Sequence, residues 1–244
     1  LAQAAGVATA RMINDLEANA YGIGALSVDD FAILNEGAHD PEGNAAVIAA
    51  GTGLGEAGLF WDGKRHRAFA TEGGHADFSP NDETEAELML YLKKQFGHAS
   101  WERVLSGPGL YNIYRFLRDS GRFAEPVWFA EETKSADPSA VISRSALEGK
   151  GGIFAKTLEM FVSFYGAEAG NLALKTMALD GVYLGGGIAP RIIDWLRQPT
   201  FMKSFCNKGR MSALLQAIPV KVILNDRTAL LGAARCAALD AGLL

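Results

Sequence analysis

Between Ala45 and Ala70 the sequence alternates short apolar runs with glycine-rich turns, and this stretch constrains the fold more than any other. Ala45-Ala46-Val47-Ile48-Ala49-Ala50 is continuously apolar and has the length of a buried strand. Gly51-Thr52-Gly53-Leu54-Gly55 follows, and a second strand is predicted from Ala57 to Trp61. Asp62-Gly63 is a two-residue hairpin signal, so a third strand is predicted from Lys64 to Ala70. The unit therefore reads strand, glycine turn, strand, tight turn, strand.

Helical patterns surround it. Met12-Ile13 reads as the end of a strand, and Leu16 to Ile23 as a helix, with Asn14-Asp15 at its N-cap. Helical spacing recurs over Asp82 to Phe96 and over Leu110 to Leu117 after the Gly107-Pro108-Gly109 break. Asp137-Pro138 is a helix start. The longest amphipathic stretch runs from Ile153 to Met177, its apolar residues recurring at period 3.6. Gly181 to Leu184 returns to strand, Pro190 opens a helix, Pro219 to Leu224 is a last strand and Thr228 to Leu239 a last helix. The fold class is α/β.

Composition excludes several functions. The chain has 28 acidic and 23 basic residues, a formal net charge of −5, and 49% apolar residues, so it is neither disordered nor built to neutralise nucleic-acid phosphates. The densest basic cluster, Lys64-Arg65-His66-Arg67, sits beside a turn and reads as a solvated hairpin end. No apolar run approaches the roughly 18 to 20 residues of a membrane helix. Cys206 and Cys236 match no zinc or redox spacing, which points to a reducing cytoplasm and no metal ligands of that kind. No signal-peptide pattern opens the chain.

Five segments could carry chemistry. The turn Gly51 to Gly55 lets backbone N–H groups approach a phosphate, although a plain glycine-rich hairpin has the same signature. It lacks the Lys-Ser/Thr of a Walker A loop, and a strand follows where a dinucleotide fingerprint needs a helix. Gly185-Gly186-Gly187 could bring backbone against a flat ligand such as adenine, or simply join strand to helix. Asp15 could take a proton from an alcohol during phosphoryl transfer, or merely cap a helix. Glu72-Gly73-Gly74-His75 offers a carboxylate and an imidazole to a polyol, or holds a structural histidine. Glu102 on its own reads as a surface helix residue.

Taken in order, Ile13-Asn14-Asp15-Leu16, Gly51 to Gly55, Glu72-Gly73-Gly74-His75-Ala76-Asp77-Phe78, Glu102 to Gly109 and Gly185 to Ile188 resemble the bacterial glucokinase family of the hexokinase and actin-like superfamily. The resemblance implies an actin-like ATPase (ribonuclease H-like) fold and ATP-dependent phosphorylation of glucose, with ATP and Mg2+ as cofactors. It makes Asp15 the catalytic base and Asn14, Glu72, His75 and Glu102 glucose ligands. Gly51, Thr52, Gly53 and Gly55 become a phosphate loop, and Gly185, Gly186 and Gly187 the adenosine loop. A cysteine cluster like that of the zinc-binding sugar kinases is missing, so the resemblance is to the zinc-free group. It also implies a cytoplasmic homodimer without nucleic-acid or membrane partners. Another hexose or an amino sugar as substrate, and a non-catalytic sugar-sensing module, are the alternatives.

Members of that family begin with a strand and an Asp-x-Gly-Gly-Thr-Asn turn on the ATP phosphates, which this sequence lacks, and the chain begins with Leu rather than Met. The expectation is a complete larger domain over 26–224, with 1–25 and 225–244 as remnants of a smaller one. On that expectation the chain by itself phosphorylates glucose poorly, and Leu230, Leu231, Ala234 and Leu239 face solvent.

Overall fold

Every residue of Ala45–Ala50 is buried, because this strand lies in the middle of a sheet covered on both faces. The computed structural model describes residues 2–7 and 10–244. Helix α1 (Ala2–Ala5) is followed by α2 (Asp15–Ile23), and then come β1 (Phe31–Asn35), β2 (Ala45–Ala50), β3 (Leu54–Trp61) and β4 (His66–Thr71). Five helices follow: α3 (Glu83–Phe96), α4 (Gly107–Asp119), α5 (Val127–Glu132), α6 (Pro138–Leu147) and α7 (Gly152–Thr176). The chain closes with β5 (Gly181–Gly185), α8 (Ile193–Leu196), α9 (Pro199–Cys206), α10 (Ser212–Ala217), β6 (Val220–Ile223) and α11 (Thr228–Asp240).

The strands form one sheet in the order β1-β6-β5-β2-β3-β4. β2, β5 and β6 run parallel, and the other pairs are antiparallel. The parallel register sets Ala49 opposite Gly185, so the chain leaves β2 and β5 side by side at the same edge. The two glycine turns that follow these strands are thereby neighbours, although more than a hundred positions separate them in sequence.

The larger core lies between one sheet face and α7, which packs against α4, α6 and α9. Phe154, Phe161, Tyr165, Phe201 and Phe205 are fully buried there. Burying one such side chain stabilises the fold by about 1.5–3 kcal/mol. The opposite face carries α2 and α11, which pack on each other, over a smaller cluster of Ala20, Val47, Ala57, Leu59 and Tyr183.

The predicted strands and long helices are present, with four differences. Residues 10–14 form no strand, since no strand among the described residues lies beside them to pair their backbone groups. The Asp62-Gly63 turn is a four-residue loop: Asp62 Oδ1 accepts the N–H groups of Lys64 and Arg65, each at 3.0 Å, and strand pairing resumes at Trp61 and His66. Gly107-Pro108-Gly109 does not interrupt the chain but forms the first turn of α4, with Ser106 Oγ accepting the Gly109 N–H at 3.0 Å. Proline is harmless there because the first N–H groups of a helix have no partner within it. On α11, Leu230 (70% exposed) and Ala234 face solvent as expected, whereas Leu231 and Leu239 are half-buried.

Candidate active site

A cleft of about 450 Å3 opens at the sheet edge where β2 ends and β3 begins. Asn14, Asp15, Gly51, Thr52, Gly53, Gly55, Glu72, His75, Glu102 and Gly186 all line it. Five segments distant in sequence thus converge on one space.

Helix α2 delivers the first pair. Asn14 caps it, with Oδ1 accepting the N–H groups of Leu16 at 2.8 Å and Glu17 at 3.4 Å. That occupies the amide oxygen and leaves the NH2 group as the donor Asn14 can offer a ligand. Asp15 is the first residue of the helix, and its Oδ1 accepts the Leu16 N–H at 2.9 Å. Both readings of Asn14-Asp15 therefore hold at once: the pair shapes the helix start and is exposed to the cleft. The helix sits where it does because Gly55 has no side chain; a Cβ there would collide with the Leu16 side chain.

The turn between β2 and β3 consists of Gly51, Thr52 and Gly53, since Ala50 pairs with Leu54. The backbone N–H groups of Thr52 and Gly53 lie outside the strand ladder, as a phosphate loop requires. Glu102 braces this turn, its Oε2 accepting the Leu54 N–H at 3.0 Å. Glu102 lies in a single helical turn over Trp101–Arg103, pinned by Ser106 Oγ donating to its carbonyl at 2.7 Å. Glu72 and His75 flank another single turn, Gly73–His75, with His75 Nε2 at 3.8 Å from Glu72 Oε2 and both side chains well exposed.

The second glycine turn divides. Gly186 lines the cleft, and its φ of 79° lies in the left-handed region that glycine adopts most easily. Gly185 is buried as the last residue of β5, and Gly187 is exposed outside the lining.

Sequence reasoning missed two contributors. Asn19, one helical turn beyond Asp15, also lines the cleft, and its Nδ2 donates to the Asp15 carbonyl at 3.1 Å. The i, i+4 spacing from Asp15 was the available signal. Tyr165, fully buried on α7, donates its hydroxyl toward Ile48 O at 3.2 Å and Gly185 O at 3.3 Å, and accepts the Ala50 N–H at 3.4 Å. It ties together the strand ends from which both glycine turns spring. Nothing in sequence separates it from the other aromatics of α7. Burial pushes its hydroxyl well above the ordinary tyrosine range, so it acts as a neutral hydrogen-bonding group.

Electrostatically the lining, among the described residues, carries three carboxylates, Asp15, Glu72 and Glu102, and neither Lys nor Arg.

The glucokinase family model matches residues 1–240. A glucokinase of Synechocystis sp. is 44% identical over 252 residues, covering 98% of this chain and 71% of the relative. The crystal structure of a glucokinase from an Antarctic psychrotroph superposes with a TM-score of 0.85 at 32% identity, over 96% of this chain and 70% of that one. A glucokinase of the ROK family from Streptomyces griseus, solved with glucose and AMPPNP, superposes with a TM-score of 0.63 at 19% identity, over 96% and 70% of the two chains, which shows a common fold. The fold is that of the actin-like ATPases, as the family resemblance implied, and the α/β class read from the strand and helix pattern agrees with it. With its matching segments gathered around one cleft, the chain belongs to the glucokinase family.

Proposed function

We propose that Asp15 is the general base of a glucose 6-phosphorylation carried out in this cleft. ATP-dependent phosphorylation of glucose is the activity of the family to which the chain belongs. The observation that carries the assignment is the convergence of Asn14, Asp15, Glu72, His75 and Glu102 on the space beside the Gly51–Gly53 turn.

The glucose 6-hydroxyl oxygen attacks the γ-phosphorus of ATP, and its proton passes to Asp15 Oδ2, since Oδ1 is held by the Leu16 N–H. The bond between the γ-phosphorus and the bridging oxygen breaks, and ADP leaves. Asn14, Glu72, His75 and Glu102 hold the sugar hydroxyls, while backbone N–H groups of the 51–55 turn stabilise charge on the phosphates. The turn at Gly186 and Gly187, which follows the buried Gly185, receives the adenosine. Positioning and electrostatics supply most of the acceleration in such a transfer.

Mg2+ fits this cleft. It asks for at most one or two carboxylates beside phosphate oxygens and water, and a wall with three carboxylates and no Lys or Arg needs a cation to balance a nucleotide. Carboxylates of the lining would reach it through water beside the phosphate oxygens, and when bound it neutralises charge on the β- and γ-phosphates. We further propose that 1–25 and 225–244, whose helices α2 and α11 pack on each other and on one face of the sheet, are remnants of a smaller domain. A cytoplasmic homodimer, as the family resemblance implies, completes the reading, and the two free thiols fit a reducing compartment.

The test is Asp15→Asn, with turnover and glucose affinity measured together in the complete enzyme. Loss of a general base lowers the rate about a hundredfold or more, with glucose still bound. Turnover within a few-fold of the parent would remove Asp15 from this role.

A further inference from the structure

Behind the Glu72–His75 loop two carboxyl groups are buried together. Glu56, on β3, is 1% exposed, and Glu168, on α7, is fully buried. Glu168 is satisfied: its Oε2 accepts from Asn171 Nδ2 at 2.7 Å, and Lys175 Nζ stands 3.5 Å from its Oε1. Glu56 Oε1 is buried with no hydrogen-bond partner among the described residues. Its Oε2 lies hard against Gly73, leaving no room for a Cβ there. The Glu56 backbone holds the same segment: its carbonyl accepts the Thr71 hydroxyl at 3.2 Å, and Thr71 Oγ1 accepts the Gly73 N–H at 3.2 Å.

Burial disfavours a charged carboxylate and a neighbouring carboxylate disfavours it further, so one of the two keeps a proton. Burial first, and the Glu168 charge second, push Glu56 up to about 8. Burial raises Glu168 as well. The cations within reach are Lys175, from α7, and Lys208, from the segment after α9. The Lys208 ammonium is already engaged by Ala167 O at 2.9 Å and Asn171 Oδ1 at 2.7 Å. β4 contributes only the neutral Thr71 to this group. An ionised Glu56 would be driven away from Glu168, toward Gly73 and the cleft.

We propose that Glu56 is a positioning residue, whose buried carboxyl, packed against Gly73 beside Glu168, sets the loop that presents Glu72 and His75 to the sugar. Its ionisation loosens that loop and weakens glucose binding without touching the nucleotide side. The inference rests on the reading of Glu72 and His75 as glucose ligands.

The experiment is a pH profile of steady-state kinetics on the complete enzyme. The KM for glucose is expected to rise about tenfold between roughly pH 7 and pH 9, while the KM for ATP stays flat. Glu56→Gln, which cannot ionise, removes the rise. Glu168→Gln removes the neighbouring charge and moves the rise to lower pH. A purely structural role would lower Tm in both variants and leave the shape of the profile alone. A flat glucose profile in the parent enzyme, or an undiminished rise in Glu56→Gln, overturns the proposal. The sugar-ligand reading is checked separately at neutral pH with His75→Ala: unchanged glucose affinity there sinks that reading, whereas weakened affinity beside a flat parent profile sinks only the role of Glu56.

Discussion

Glu102 Oε2 accepts the Leu54 N–H at 3.0 Å, so a carboxylate on the wall of the cleft also fixes the first residue after the glycine turn. On the proposed assignments, the sugar side and the phosphate side are joined through one side chain. The turn is built around it: a Cβ on Gly53 would stand 2.6 Å from the same Oε2. This is a tighter coupling than two independent ligand sets would give, and it separates the effects of two substitutions.

Glu102→Gln keeps a carbonyl oxygen for Leu54 and alters only what the sugar meets. Glu102→Ala leaves the Leu54 N–H unpaired, which costs about 1–3 kcal/mol when such a group is buried. The KM for glucose should therefore rise in both variants, and the KM for ATP only in the alanine variant. Steady-state kinetics with each substrate varied decides it, and equal ATP effects in the two variants would break the link between Glu102 and the turn.

Gly55→Ala tests how α2 is seated. The added methyl collides with Leu16, the residue after Asp15, and so pushes the start of α2 outward. A displacement of about 1 Å at a reacting group can lower the rate a hundredfold. The expected result is a fall in kcat that exceeds the change in either KM, with circular dichroism unchanged. A kcat equal to that of the parent would show that the helix start tolerates the shift.

Tyr165→Phe deletes only a hydroxyl, yet that hydroxyl serves Ile48 O, Gly185 O and the Ala50 N–H. Leaving such buried groups short costs about 1–3 kcal/mol, which for a chain of this size lowers Tm by roughly 2–4 °C per kcal/mol. Since both glycine turns start from these strand ends, the KM for ATP should rise more than that for glucose. Thermal melts and kinetics together check this; an unchanged Tm would mean that the phenyl ring alone sustains the junction.

The parts of the fold legible in the sequence are those with strong local signals. The apolar run Ala45–Ala50 and the long α7 reached their expected states because their patterns leave little choice of partner. The edge strand β1, Phe31–Asn35, carries no comparable pattern: only Ala32 is buried, and its place is set by pairing with β6 nearly two hundred residues later. Short helices such as α5 and α10 likewise depend on what they pack against. At the site, Asp15 and the glycine turns are visible in sequence but each admits a structural reading, and it is the family resemblance that ties them to Glu72, His75 and Glu102. Glu56 gave no such signal. Its importance comes from Glu168, which approaches from α7 and is invisible along the chain.

The last prediction concerns stability against pH. Glu56, Glu168, Glu85 and Asp180 are all held above the ordinary carboxyl range, and burial is the main cause each time. A raised value means that the folded chain binds these protons more tightly than the unfolded chain does. Stability from such groups is fully present below their unfolded values and declines as pH rises through the folded ones, to about 8 for Glu56. Asp62 works in the opposite sense, lowered to about 2 by the Arg65 and Lys64 N–H groups and by Arg67, so what it contributes is lost only in acid. It sits in an exposed hairpin loop, where solvent screens the effect. Tm should therefore fall between roughly pH 4.5 and pH 8 and level off above that. In Glu56→Gln the fall should be shallower across that window, and most visibly between about pH 7 and pH 8, where Glu56 is the group still protonated in the folded chain. Scanning calorimetry of both proteins across that range is the measurement. A parent Tm that is flat or rises toward alkaline pH would show that the buried carboxyls ionise without strain in the folded chain.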